Sequence, residues 1–183
     1  GIILEAHRVD NMDYRSKRGG TGKELTLNYI PAISKQHAYT LAAFYPFANQ
    51  PLGELGFQGE INYTFKKKTK IGGKYGTQIA FNYSRINGLN GGPSELTLNR
   101  EHTPTFFSIQ NEELYFRDFN FDIKKKINKK VKIMANYLDI IYNKDVIQGK
   151  NIGKNIHARV GILELNYKLK PKHTIRSEFQ YLS

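Results

Sequence analysis

The part of this chain that most resembles a chemical site is the glycine-rich stretch GGTGKE at residues 19–24. In a phosphate-binding loop, backbone amides and a lysine hold the phosphates of a nucleotide. That motif requires glycine where Lys17 stands and serine or threonine where Glu24 stands, so we interpret the stretch as a surface loop. The similar stretch GGKYG at 72–76 also departs from the motif, and it predicts a turn whose glycines adopt positive φ.

Histidines are the other candidates for chemistry, as metal ligands or as general acids and bases. They are scattered, with no pair at metal-ligand spacing on one face, and Glu101 with His102 is interpreted as a solvated loop pair. The chain has no cysteine and no G-x-S-x-G nucleophile motif. We therefore expect no catalytic residue, no metal site, no cofactor and no enzymatic activity. The histidines are His7, His37, His102, His157 and His173.

The composition limits the class of protein. Lys and Arg number 28 against 16 Asp and Glu, a net charge of +12, which favours nucleic acid or anionic lipid as a neighbour. The hydrophobic fraction of 39% is low for a globular core, whereas aromatic residues make up 13% of the chain. No window holds the roughly 18 apolar residues of a transmembrane helix. The chain length predicts one domain, covering residues 1–183.

Apolar and polar residues alternate with a period of two along much of the chain, which predicts antiparallel β-strands. The clearest case is a hairpin of strands at 57–65 and 78–84 around a lysine-rich turn. In all, the pattern predicts about nine strands and no helix. The other strands are expected at about 2–14, 25–29, 39–45, 119–123, 131–137, 163–169 and 175–181.

The predicted connections fall into two kinds that alternate along the chain. Tight basic turns are expected at 34–36, 66–73, 124–130 and 170–173, and long loops at about 87–110 and 143–155. In an up-and-down meander, alternate connections share one end of the sheet. Short periplasmic turns opposite longer extracellular loops are typical of outer-membrane barrels. The sequence therefore predicts an all-β, antiparallel, up-and-down transmembrane β-barrel.

The faces of the strands are assigned from this fold. The polar file contains amides and carboxylates where a solvated surface would carry lysine, so it is expected to face the lumen and the apolar file to face lipid. The predicted lumen-facing residues are Gln58, Glu60, Asn62, Asn82, Asp118, Asn120, Asp122, Glu164, Arg176, Glu178 and Gln180. The predicted lipid-facing residues are Phe57, Ile61, Tyr63, Ile79, Phe81, Tyr83, Phe119, Phe121, Leu163, Leu165 and Phe179.

Lysines concentrate in the predicted turns. Basic runs with interleaved aromatics also occur in proteins that bind nucleic acid, but here the aromatics line strand faces, away from the lysines. We expect the lysines to meet anionic headgroups at the periplasmic leaflet, each contributing about 1 kcal/mol at low salt. The partners expected are the lipid bilayer and other envelope proteins, and not nucleic acid. The periplasmic basic turns contain Lys66, Lys67, Lys68, Lys124, Lys125, Lys126, Lys170 and Lys172.

The block from Tyr45 to Arg85, preceded by NYIPAISKQHAYTLAAF, resembles an uncharacterised family of outer-membrane β-barrel proteins from Bacteroidota. The turn pattern FxKKTxxGGKYGT is its most specific part, and the resemblance covers residues 24–85. The resemblance implies an outer-membrane location, an N-terminal signal peptide and a barrel larger than this chain. It implies no activity and no functional residues.

Three functions remain open from the sequence. The first is a pore or transport barrel with a polar lumen, porin-like in character. The second is a non-conducting structural or assembly component of a larger envelope complex, and the third is a soluble β-domain that binds nucleic acid or glycan. Because nine strands would be an odd number with unpaired edges, the chain is expected to be a segment of a larger barrel.

Overall fold

A computed structural model describes residues 1–10, 12, 14–17, 27, 30–51, 53–89, 113–149 and 155–183. Within these ranges the fold is one antiparallel sheet of seven strands with a short helix. The strands are β1 (Ile2–Asp10), β2 (Gly53–Phe65), β3 (Thr77–Asn87), β4 (Leu114–Lys126), β5 (Val131–Asn143), β6 (Asn155–Lys170) and β7 (His173–Leu182).

Each strand pairs with the next one along the chain, so the sheet order is the sequence order. The prediction of an all-β, up-and-down antiparallel fold is confirmed. The long hairpin expected around the lysine-rich turn is formed by β2 and β3, with Ile61 opposite Phe81. In the described ranges the sheet is not closed, because β1 and β7 are its two edges and pair only with β2 and β6.

The predicted count of about nine strands is wrong for the described part of the chain, which forms seven. The expected strand at 39–45 is not a strand and contains a 3₁₀ helix, Ala42–Phe44. The turn expected at 34–36 is likewise no strand connection. The first strand ends at Asp10 rather than near residue 14. The strand predicted at 25–29 falls outside the described residues except for Leu27, which lies in no strand.

Three of the four predicted basic turns are tight strand connections at one end of the sheet. In the β2–β3 turn, Thr69 Oγ1 accepts from the Gly72 amide at 3.0 Å and donates to the Lys66 carbonyl at 2.9 Å. Gly73 and Gly76 have φ of +60° and +88°, as the glycine pattern predicts. In the β4–β5 turn, Asn128 Oδ1 accepts from two backbone amides at 2.8 Å each.

The connection that follows β5 begins with helix α1 (Lys144–Gln148), which sequence periodicity did not predict. Asn143 caps it, since its Oδ1 accepts from the amides of Asp145 and Val146, and the helix ends at Gly149 with a φ of +64°. The predicted loop at 143–155 thus begins as a helix, and most of the loop at 87–110 lies outside the described residues. Among the described residues, no helix has the length and hydropathy needed to cross a membrane.

Glycine positions in the β2–β3 turn and on β6 give a graded test of this fold. A Cβ on Gly72 would collide with the backbone oxygen of Lys66, a Cβ on Gly73 would meet open space at positive φ, and a Cβ on Gly161 would meet nothing. Alanine substitution is therefore expected to destabilise by about 2 kcal/mol or more at Gly72, about 1 kcal/mol at Gly73 and less than about 0.5 kcal/mol at Gly161. Urea titration followed by circular dichroism measures the order, and a different order would contradict the described turn.

Candidate functional site

All the polar residues predicted to line a lumen lie on one face of the sheet, here called the polar face. The register places Glu60 opposite Asn82, and Asn82 opposite Asn120. On β6 and β7 the same face carries Glu164 opposite Glu178. In the middle of the polar face Asn82, Asp118 and Asn120 are completely buried. The opposite pattern would hold in a soluble sheet, where the polar face is the wet one.

The residues predicted to face lipid lie on the other face, here called the apolar face. None of them is buried, and Ile61, Tyr63, Leu163, Leu165 and Phe179 are exposed, the last at 67%. Aromatic rings there meet edge to face, as between Phe81 and Phe119 with ring centroids 5.2 Å apart. The sheet thus buries its polar side and leaves its apolar side open. The assignments to lumen and to lipid remain predictions.

Residues 30–51, here called the strap, cover the polar face. Ile33, Lys35, His37 and Tyr39 point alternately toward the sheet, while the intervening side chains from Gln36 onward are exposed. This is the period-two pattern that predicted a strand at 39–45. The strap bonds to the sheet through side chains instead of a backbone ladder, which is why the alternation is present without a strand.

A lysine ion pair and a histidine–carboxylate contact hold the first half of the strap to β4. The Lys35 ammonium lies 2.9 Å from Asp122 Oδ2 and donates to Asn120 Oδ1 at 3.0 Å. His37 Nε2 lies 2.7 Å from Oδ2 of the buried Asp118. Charge-assisted hydrogen bonds of this kind are about twice as strong as neutral ones. The strap therefore supplies a positive or donor group to each of the two carboxylates in the centre of the sheet.

Further along, the strap reaches β6 and β7. The Tyr39 phenol donates to Glu164 Oε2 at 3.1 Å, and Arg176 lies 2.6 Å from the same oxygen. The Leu41 amide donates to Gln180 Oε1 at 2.8 Å. Burial, together with the hydrogen bond to Glu164, raises the pKa of Tyr39 to about 12. Five predicted lumen residues on three strands are thus joined to one segment of the chain.

The strap returns across an apolar part of the same face. Ala42 and Phe47 join a buried cluster with β4, β5 and β6, in which the rings of Phe47 and Phe116 have centroids 5.4 Å apart. Close approach is also built into the sheet, because a Cβ on Gly56 would collide with the Ile33 side chain. This cluster is the hydrophobic core of the described chain, and it lies between the strap and the sheet.

Amide side chains link neighbouring strands across the polar face. Gln58 donates to Asn82 Oδ1 at 2.7 Å, and Asn82 donates to Ser84 Oγ at 3.3 Å. Asn136 donates to Asp122 Oδ1. Within the described part of the chain, the buried atoms Asp118 Oδ1 and Asn136 Oδ1 accept no hydrogen bond. The buried Nδ2 of Asn120 likewise has no acceptor, so buried donors and acceptors both lack a partner among the described residues at the centre of the polar face.

Not every predicted lumen residue meets the strap. Asn62 is exposed, Glu60 receives a hydrogen bond from Asn62, and Glu178 pairs with Arg176 at 2.7 Å. The described residues contain no group of three or more histidines, cysteines, aspartates or glutamates suited to hold a metal ion. The polar face is therefore an extended surface of hydrogen-bonding groups, whose centre is filled by the strap and whose hairpin end is open.

The predicted basic-turn lysines gather at the hairpin end of the sheet, in or next to the turns that join β2–β3, β4–β5 and β6–β7. Lys126 reaches back over the Tyr75 ring, 5.1 Å from its centroid. Lys124 lies on the polar face and Lys125 on the apolar face, as their pairing with Gln78 and Thr77 requires. The periplasmic location of these turns remains a prediction.

Tyr39 reports directly on the docking of the strap. Its folded-state pKa lies above the usual value of 10.0, so the stability from its neutral form is complete below pH 10.0 and is lost as the pH rises through about 12. The difference in phenolate absorbance between the wild type and Tyr39→Phe should show one tyrosine titrating near 12. Glu164→Gln removes the negative neighbour and should lower the Tyr39 pKa. Titration of Tyr39 at its ordinary value would contradict the docked strap.

Comparisons with known proteins bear on the family only. No curated protein matches the chain, and no solved structure matches it. A family model matches the chain over residues 1–183 and is described as a family of unknown function. The match confirms the prediction of an uncharacterised family, while the outer-membrane location and the bacterial phylum remain predictions. The chain belongs to this family of unknown function, DUF6029.

Proposed function

We propose that this chain forms part of the wall of an outer-membrane β-barrel, and that the strap occupies the polar lumen of that barrel. The observation that carries the proposal is the inverted polarity of the sheet. Carboxylates and amides are buried under the strap, while large apolar side chains such as Leu163 and Phe179 are exposed on the other face. In water this arrangement would leave an extended apolar surface unpaired. In a bilayer the same surface is satisfied by lipid.

The height of the apolar face supports this proposal. On β5 the side chains of the apolar face begin at Val131. The apolar band ends at the level of Asp139, where Phe119 lies opposite on β4. Val131 and Asp139 are about 8 residue steps apart, or roughly 27 Å along the strand at about 3.4 Å per residue. A strand tilt of about 40° reduces this height to roughly 21 Å, which is close to the apolar band of about 25 Å on transmembrane barrels.

The two borders of the apolar face also suit a bilayer. The hairpin end carries the lysines. It also carries three aromatic side chains of the apolar face, those of Tyr63, Phe65 and Tyr167. At the other end, Asp139 lies 2.7 Å from Arg117, and Arg159 lies 3.4 Å from Asp139. Charged and aromatic residues at both borders of an apolar band are typical of membrane interfaces.

The open edges of β1 and β7 require a partner in this setting. An unpaired backbone amide or carbonyl in hydrocarbon costs several kcal/mol, so both edges must pair with further strands. More strands of the same protein or another envelope protein would supply them. This requirement leaves the strand number of the whole barrel open.

The strap favours a pore that is closed in this conformation over an open channel. It crosses the polar face through contacts to β2, β4, β6 and β7, so it fills the space that a lumen would provide. The non-conducting structural component is the second candidate, because a stably docked strap would also close a barrel permanently. Ion conductance of the full-length protein in planar bilayers separates the two, since only a pore shows opening events.

Two exposed apolar side chains distinguish a membrane wall from a soluble sheet. Leu163 lies mid-strand on the apolar face at 48% exposure, and Ile71 lies in the β2–β3 turn at 56% exposure. In a bilayer, Leu163→Arg should destabilise by about 2–4 kcal/mol and Ile71→Arg by about 1 kcal/mol or less. Urea titration in lipid vesicles gives both values. Equal tolerance of the two arginines would overturn the proposal and favour a soluble domain.

The sidedness of the wall is testable because the chain has no cysteine. Gln148 at the end of α1 and Lys67 in the β2–β3 turn are both exposed and lie at opposite ends of the sheet. An impermeant thiol reagent should label Gln148→Cys in intact cells, and Lys67→Cys only after the outer membrane is permeabilised. The reverse pattern would invert the topology, and labelling of both in intact cells would argue against the proposed location.

A further inference from the structure

Charge is distributed unevenly over this chain, and the distribution points to a class of solute. The net charge is +12, yet the polar face contributes mainly carboxylates at its centre. At the levels of Asp118 and Asp122 the facing residues of the sheet are Ser84, Ile140, Ala80 and Asn136, none of which is charged. The nearest cation of the wall on this face is Lys124, toward the hairpin end. The wall alone would therefore attract cations at its centre.

The strap supplies the missing cation at one defined point. The Lys35 ammonium lies 2.9 Å from Asp122 Oδ2 and 3.0 Å from Asn120 Oδ1. The site is built into the sheet, because Asn120 is fully buried and Asn136 donates to the other oxygen of Asp122. The contact with Asn136 holds Asp122 independently of Lys35, while Asn120 lies in the buried centre of the sheet. They form a receptor for an ammonium group, and the strap is its present occupant.

Buried acceptors without a donor occur on Asn136, which contacts Asp122, and on Asp118, which lies on the same strand as Asp122, and they are an independent sign of a ligand. In the described part of the chain, Asp118 Oδ1 and Asn136 Oδ1 are buried and accept no hydrogen bond. Leaving such an atom unsatisfied costs about 1–3 kcal/mol, more for a charged group. A primary ammonium has three N–H donors, and the two described hydrogen bonds of Lys35 go to Asn120 and Asp122. The centre of the polar face thus has more acceptor capacity than the strap uses.

We infer that the centre of the polar face is a binding site for primary alkylammonium groups, with Asp122 and Asn120 as its principal acceptors and Lys35 as an internal occupant. Solutes that carry such a group would compete with the strap for this site. The inference deepens the proposed function, since it names the solute class that the lumen would take. The site itself is testable in detergent without any pore activity, so the two can fail separately.

Chemical rescue tests the site in the full-length protein. Lys35→Ala removes the ammonium and the three methylenes next to it, and n-butylammonium supplies the same group on a chain one carbon longer. The Tm of this variant in detergent should therefore fall and should rise again, saturably, with n-butylammonium chloride. Butanol lacks the charge and tetramethylammonium lacks the N–H donors, so neither should restore the Tm. Adding Asp122→Asn to the Lys35→Ala protein should abolish the rescue.

A matched control and two opposing outcomes complete the test. Lys172→Ala alters an exposed lysine of the β6–β7 turn, and its Tm should not respond to n-butylammonium. Equal stabilisation of the Lys35→Ala protein by all three additives would overturn the inference, as would rescue that persists with Asp122→Asn. A conducting barrel whose Lys35→Ala variant binds no amine would refute the site while leaving the proposed function intact.

A second measurement applies if the Lys35→Ala protein does not fold. Ser84 lies opposite Asp118 on the polar face and is 0% exposed, so a thiol reagent should reach Ser84→Cys only when the part of the strap around His37 leaves the sheet. With Lys35 intact, n-butylammonium should accelerate this labelling at concentrations above the millimolar effective concentration of a tethered group. Butanol should not. An unchanged labelling rate in both additives would overturn the inference.

Discussion

The organisation of the polar face depends on the pairing of one buried carboxylate, that of Asp118. The side chain lies in the middle of the sheet with no exposed surface. Its cross-strand neighbours, Ser84 and Ile140, offer no charge. A buried carboxylate without a partner costs several kcal/mol, and removal of one partner of a buried pair is strongly destabilising. His37 of the strap meets this need at 2.7 Å, so Asp118 needs the strap as a partner for as long as the strap shields it from water.

The same requirement explains why the hydrophobic core is small and lies at one end. The strap bridges polar groups on β4, β6 and β7 before it turns back at the 3₁₀ helix. On its return, Phe47 packs on Phe116 and Tyr45 lies near Tyr142, with ring centroids 5.7 Å apart. The apolar side chains of the other face do not contribute to this core. Their burial is left to the surroundings of the sheet, for which we propose lipid.

Much of the fold could be predicted from the sequence, because strands whose two faces differ in polarity show a period of two. The β2–β3 hairpin and the three basic turns follow from this period, and the β2–β3 turn also follows from glycines that have positive φ. The strap could not be predicted in this way. The alternation around Lys35, His37 and Tyr39 indicates only that successive side chains point to opposite sides. It does not show that the backbone forms hydrogen bonds with a neighbouring strand. Charge offered the missing signal, since Asp118 and Asp122 have no cation opposite them on the neighbouring strands.

The strap is attached in two chemically different ways, and the difference decides which part of it can move. Ala42 and Phe47 belong to the buried apolar cluster, where exposure to water has a cost that scales with area. Lys35, His37 and Tyr39 are bonded to carboxylates, and water or a competing donor can replace such bonds at a net cost of about 1.5–3 kcal/mol each. Release of the strap should therefore begin at its polar half and leave the apolar half docked. A lumen opened in this way would expose Asp118 and Asp122 first, which are the groups that attract a cation.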